Sequence, residues 1–137
     1  MKRYNVFEYF YFIEAWVILH IARLSILMIP FKKIASILGR SQQEVVKEPS
    51  FDRAALLVSH AIRRAARFTL YNSKCYDQAL AGKVMLNYRK VTSTIYFGLA
   101  KDKDSGLSAH AWLCSGTIVV TGKKGMQHFT PVAWFGS

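Results

Sequence analysis

Carboxylates are scarce in this chain. Eight Asp and Glu stand against nineteen Lys and Arg, a formal charge of +11 over 137 residues. A site built on clustered carboxylates has little to draw on, and the favoured partners are acidic: nucleic acid, an anionic lipid surface, a carboxylate-rich peptide or a nucleotide. Cysteine is rarer still. Cys75 and Cys114 are the only two, too few for a disulfide scaffold, and there is no Cys or His pair at zinc-finger spacing. That usage fits a reduced, cytoplasmic setting. The histidines at 20, 60, 110 and 128 are scattered, so neither a metal site nor a cofactor is expected. No internal repeat or low-complexity tract is visible. What the chain does have is apolar residues, 52% of the total, enough at this length for one compact core.

The longest apolar run, Tyr9 to Ile29, reads YFYFIEAWVILHIARLSILMI and exceeds the roughly twenty residues that span a bilayer. Glu14, His20 and Arg23 interrupt it, and an ionisable group in mid-span is expensive. No small-residue cleavage site follows the apolar core, so a signal peptide fits poorly. The run therefore predicts a very hydrophobic helix ended by Pro30. That helix packs on the rest of the domain, or it lies on a membrane or a partner with Lys32, Lys33 and Arg40 on its flank.

Phe31, Ile34, Ile37 and Leu38 give a short amphipathic helix stopped at Gly39. The polar stretch from Arg40 to Pro49 then reads as a linker, dividing an N-terminal helical region, 1–48, from a core, 49–137. SFDRAALLVSHAIRRAARFTL, residues 50–70, offers Ser50 or Asp52 as N-cap and a helical apolar period, with His60 and the run Arg63, Arg64 and Arg67 on its wetter side. CYDQALAGKVML, residues 75–86, is helical again, with Ser73 placed to cap it and Cys75 in its first turn. The unpaired amides and positive dipole end there favour a thiolate over a thiol.

Beyond residue 90 the period becomes two. VTSTIYFGLA, the stretch LSAHAWLCSGTIVVTG and HFTPVAWF read as antiparallel strands, so the fold class is α+β. A two-residue turn at Ser115 and Gly116 would set Cys114 opposite Thr117, Trp112 opposite Val119 and His110 opposite Thr121. His110, Trp112 and Cys114 then share one face of the strand. A Cys at a helix start and a His on a later strand is the arrangement of cysteine-nucleophile enzymes: the imidazole takes the thiol proton, and a third group holds the ring. From spacing alone, a buried structural Cys and a strand His bonded to backbone remain open.

Several stretches in order along the chain resemble the transglutaminase-like leader peptidases of lasso-peptide biosynthesis, the stand-alone B-type processing protease. They are EAWVILHIARLSILMIPFKKIASILG, Cys75 with QAL following, IYFGLA, AHAW, and the trailing VVTG and HFTPVAWF. The resemblance implies a papain-like or transglutaminase-like cysteine protease core with an N-terminal helical extension. Its implied activity is removal of the leader from a ribosomally made lasso-peptide precursor. Cys75 maps onto the nucleophile and His110 onto the general base, with the backbone amide of Cys75 a candidate oxyanion donor.

Family members often carry an Asp about twelve residues after the His, where this chain has Gly122. Thr121 is the expected orienting residue in its place, with a backbone carbonyl as the alternative; Asp77, Asp102 and Asp104 are weaker candidates. Peptidase-like features fill the chain, leaving no stretch for the leader-binding domain that some relatives carry. A separate leader-recognition protein (PqqD-like) and an asparagine-synthetase-like cyclase are the implied partners.

Trp112 either walls the substrate site or packs the core. Cys114 reads as a buried strand residue, His128 as a structural residue opening the last strand, and His20 as a bonded core or interface residue. Two rival functions predict different observations. A basic, non-enzymatic lipid- or nucleic-acid-binding module would lose affinity steeply with salt and ignore Cys75. An acyl- or amide-transfer enzyme on the same core would transfer an amine instead of hydrolysing a peptide.

Overall fold

The computed structural model describes residues 6–37, 40–41, 53–102 and 106–136. The expected boundary at 48, the N-cap candidates Ser50 and Asp52, and Asp104 lie outside these residues. The elements in order are α1 (Val6–Met28), α2 (Phe31–Ile37), β1 (Arg40–Ser41), α3 (Arg53–Ala65), α4 (Cys75–Tyr88), β2 (Thr94–Asp102), β3 (Gly106–Ser115), β4 (Ile118–Thr121), a single 3-10 turn (Met126–His128) and β5 (Thr130–Gly136). This is the α+β organisation that the change of period predicts.

The strands form one antiparallel sheet in the order β1-β5-β2-β3-β4. Helices α3 and α4 pack against β3 and β4, and α1 packs on the other side of the same two helices. α4 is therefore the middle layer. From Ala79 to Met85 it is buried at every residue but Val84, which is why its apolar residues follow no single stripe. α3 is one-sided: Ala55, Val58, Ala61, Ile62 and Ala65 face the core, while His60, Arg63 and Arg67 are exposed and Arg64 is half-buried. One core joins Leu19 of α1, Ile34 of α2, Val58 and Ile62 of α3, Met85 and Leu86 of α4, Ile95 of β2 and Leu113 of β3.

Three expectations are corrected. Arg40 and Ser41, read as linker, pair with Gly136 and Phe135 as an edge strand; the backbone of β5 offers a free edge, and pairing on it needs no apolar pattern. His128 is exposed in the 3-10 turn and does not open the last strand, which starts at Thr130. The β3–β4 turn falls on Gly116 and Thr117, with Ser115 and Ile118 the closing pair. Gly116 takes the positive φ, 57°, that such a turn requires, and the Ser115 hydroxyl, donating to the carbonyl of Thr92 at 2.8 Å, keeps Ser115 in the strand.

The middle layer contains a lysine. Lys83 is completely buried, and its Nζ donates to the carbonyl of Ser93 at 2.5 Å and to the Ser93 hydroxyl at 3.0 Å. Burial lowers its pKa to about 8, because the interior penalises the ammonium and both partners are neutral.

Candidate active site

Cys75 is the first residue of α4. The residue before it, Lys74, is the N-cap, so Ser73 does not cap the helix; its hydroxyl instead accepts from Nε2 of Gln78 at 3.3 Å. The helix start is fixed from inside by Asp77. This buried carboxylate accepts from the Lys74 N–H at 2.9 Å and faces the Arg23 guanidinium at 3.8 Å. Asp77 therefore holds the backbone that carries Cys75, a use that excludes it as a partner of His110. Tyr71 and Tyr76 lie near it, and burial, with the Asp77 charge second, pushes both phenols up to about 12.

His110 stands on β3 opposite Gly98 of β2. Its ring lies between two others, Trp112 with centroids 5.8 Å apart and Phe129 at 5.0 Å, both stacked. Gly98 makes that sandwich fit: a Cβ there would come within 2.8 Å of the Trp112 ring and 2.9 Å of Phe129 Cβ. Trp112 is buried and stacks on Tyr96 at 5.5 Å. It is not among the residues lining the cleft, so the substrate-wall role is corrected to a supporting one behind His110.

Nε2 of His110 lies 2.7 Å from the carbonyl oxygen of Gly122. A carbonyl only accepts, so this nitrogen carries the proton, and Nδ1 is left with its lone pair. Thr121 does not hold the ring. A bulge between Leu113 and Cys114 shifts the register, placing Thr121 opposite Leu113 and Val119 opposite Cys114. The Thr121 hydroxyl is buried without a hydrogen-bond partner. The orienting acceptor is the neighbouring backbone, the Gly122 carbonyl, at the position where the sequence resemblance implies an Asp. Gly122 is required there twice over: its φ is +76°, and a Cβ would meet the Ala111 carbonyl at 2.4 Å and Trp112 Cβ at 2.8 Å.

Cys75 and His110 line one cleft of about 790 Å³ between α3, the start of α4, β4 and the loop that follows it. Gln78, one turn along from Cys75, lines it too, as do Arg63, Lys123 and Lys124; among the described residues no Asp or Glu does. From sequence, Arg63 in its basic helix run reads either as part of a solvated face or as part of a leader-, lipid- or nucleotide-binding surface; Lys123, Lys124 and Gln78 are not assigned to a site, although the Cys-x-x-Gln spacing places Cys75 and Gln78 on one helix face. Cys114 is unbridged and half-buried on β3, outside this cleft.

No match was found among curated proteins or among solved structures. A family model, that of the transglutaminase-like superfamily, matches residues 18–133, from within α1 to within β5. With a helix-initial Cys and a strand His on one cleft, and a match over most of its length, the chain belongs to the transglutaminase-like superfamily.

Proposed function

We propose that this protein is a cysteine peptidase that removes the leader from a lasso-peptide precursor. The observation that supports the reading is that Cys75 and His110 line one cleft, with His110 tethered through Nε2. Nδ1 is then the base. It accepts the Sγ proton of Cys75, and the thiolate attacks the scissile carbonyl carbon. The backbone N–H of Cys75, at a helix N-terminus where amides lack intrahelical partners, donates to the developing oxyanion. The imidazolium returns its proton to the leaving amine, which departs as the core peptide and leaves the leader acyl group on Cys75 as a thioester. Water, deprotonated by Nδ1, attacks that thioester and releases the leader as a carboxylic acid. A carbonyl tether stabilises the imidazolium less than a carboxylate would, so it positions the ring without sharing its charge.

In this reading the enzyme acts in the cytoplasm with a separate leader-recognition protein that delivers the precursor. An asparagine-synthetase-like cyclase then closes the freed core. Membership of the superfamily equally favours a second reading, acyl transfer, in which an amine takes the place of water in the last step.

Mass spectrometry of a lasso precursor, incubated with the protein and a leader-recognition partner, tests the proposal. Cleavage at one leader boundary by the wild type, lost in Cys75→Ala and His110→Ala, is the expected result. A product lengthened by an added amine would replace hydrolysis with transfer. Equal cleavage by all three proteins would remove both residues from the mechanism, and no cleavage by any of them would reject the peptidase.

A further inference from the structure

We propose that the outward face of α1 docks on an anionic phospholipid surface, with the helix lying in the plane of the membrane. This proposal does not rest on the peptidase reading. α1 has 23 residues with a mean hydropathy of 1.6 over its most apolar window, of which only 17% is buried. Phe10, Ile13, Val17, Ile21, Leu24 and Met28 are between 42% and 80% exposed. Their spacing of three and four residues sets them along one side of the helix, and at 1.5 Å per residue the ridge is roughly 30 Å long. Phe68 and Leu70 are also exposed, and their segment is bound to α1.

Glu14, His20 and Arg23 of α1 are paired with the domain or with the helix itself. Glu14 makes a bidentate pair with Arg89, both contacts 2.6 Å, and Arg23 faces Asp77. Nδ1–H of His20 donates to the Trp16 carbonyl at 2.8 Å, and its Nε2 accepts from the Leu70 N–H at 3.2 Å. A helix held to the domain by these groups, and packed on α3 and α4, has only one side to offer lipid. That geometry fits a helix lying in the interface and not one crossing the bilayer.

Charge selects the occupant. Lys32 and Lys33 directly follow the ridge and Arg67 adjoins Phe68, and all three are exposed. Among the described side chains the carboxylates are Glu8 and Glu14, both half-buried, and Asp77, which is buried. A chain of formal charge +11 repels a second copy of itself and is drawn to an anionic leaflet. No α1 residue lines the Cys75 cleft, so a docked protein keeps that cleft open.

The test is co-sedimentation of the full chain with vesicles of phosphatidylcholine containing about one-quarter phosphatidylglycerol, and with phosphatidylcholine alone. Binding to the mixed vesicles is expected, about tenfold weaker to the neutral ones and at least about tenfold weaker for Phe10→Glu/Ile21→Glu. Because that pair could disturb folding, Ile21→Trp serves as a second probe. Its fluorescence is expected to shift to the blue on mixed vesicles and to be quenched by brominated lipid. Absence of sedimentation, equal binding by the double variant when its circular dichroism is native, or an unquenched Trp would overturn the proposal. So would a vesicle-free dimer that the double variant renders monomeric, which would assign the ridge to a second copy.

Discussion

The cleft face and the α1 face of this protein are built in opposite senses. At the cleft, His110, Gln78, Arg63 and two lysines face the opening, and the apolar core lies behind them. At α1 the charged groups are spent on contacts with the domain, and the apolar side chains face out. α1 is the most apolar of the three helices α1, α3 and α4, but composition alone does not say which way its apolar side chains face. What distinguishes them is where each polar group finds its partner, because a charge that is paired inside the molecule no longer needs water.

The sharpest way to break this contrast is to remove the chemistry from one face and look at the other. Cys75→Ala is expected to lower peptide cleavage by about a thousandfold or more while leaving vesicle binding unchanged. Parallel loss of both, read by mass spectrometry and sedimentation on one preparation, would mean that the faces are not independent.

Gly122→Ala tests the tether. The alanine would need a φ of +76° and would press its Cβ on the Ala111 carbonyl. A loss of about 2–3 kcal/mol is expected, seen as a fall in Tm of roughly 5–10 °C. Displacing the carbonyl from His110 should slow turnover by about 10- to 100-fold in the fraction that stays folded. A variant as active and as stable as the wild type would show that His110 is oriented by something else.

Lys83 sharpens the contrast from within, since it is a charge-bearing group of the middle layer that reaches neither face. Its folded pKa, about 8, lies below the ordinary value, so between about pH 8 and 10.5 the unfolded chain binds more protons and stability rises with pH. From pH 7 to 9 the gain from this residue is about 1 kcal/mol. The raised phenols of Tyr71 and Tyr76 act only above pH 10, where they lower stability. Urea unfolding of Lys83→Met should show a flatter pH dependence across 7 to 9 than the wild type; an unchanged slope would place the titration elsewhere.

The smallest effect is expected at the α1 clamp. The hydrogen bond it donates to the Glu14 carboxylate holds the Arg89 guanidinium well above its usual pKa, and Arg89 also lies over the Tyr11 ring at 4.2 Å. Arg89→Lys keeps the charge but loses the fork and the flat cation, at a cost of about 1 kcal/mol. Chemical denaturation that detects no change would mean that packing alone holds α1 to the domain.

Much of this architecture was legible in the residue pattern. The change of period after residue 90, the proline after α1 and the apolar spacing in α3 placed helices and strands close to where they lie. AHAW and a helix-initial Cys singled out two residues that line the same cleft. The misreadings share a cause. Counting outward from a turn at Ser115 and Gly116 sets Thr121 opposite His110, but the turn lies one residue later and a bulge intervenes. Each moves every later pair, so an error of one residue became a wrong partner. Trp112 shares a strand face with His110, yet which neighbour it covers depends on a glycine of another strand, Gly98.

Local chemistry, then, determined by itself which segments are helix or strand, that the surface is cationic, and that one thiol begins a helix. Those properties depend on neighbours within a few positions, and the pattern records them directly. Only the tertiary structure decided that a backbone carbonyl holds His110, that Lys83 is buried, and that α1 turns its charges inward and its apolar side out. Each of these depends on groups 10 to 75 residues apart in the chain, and their meeting is set by packing and register, which no local pattern encodes.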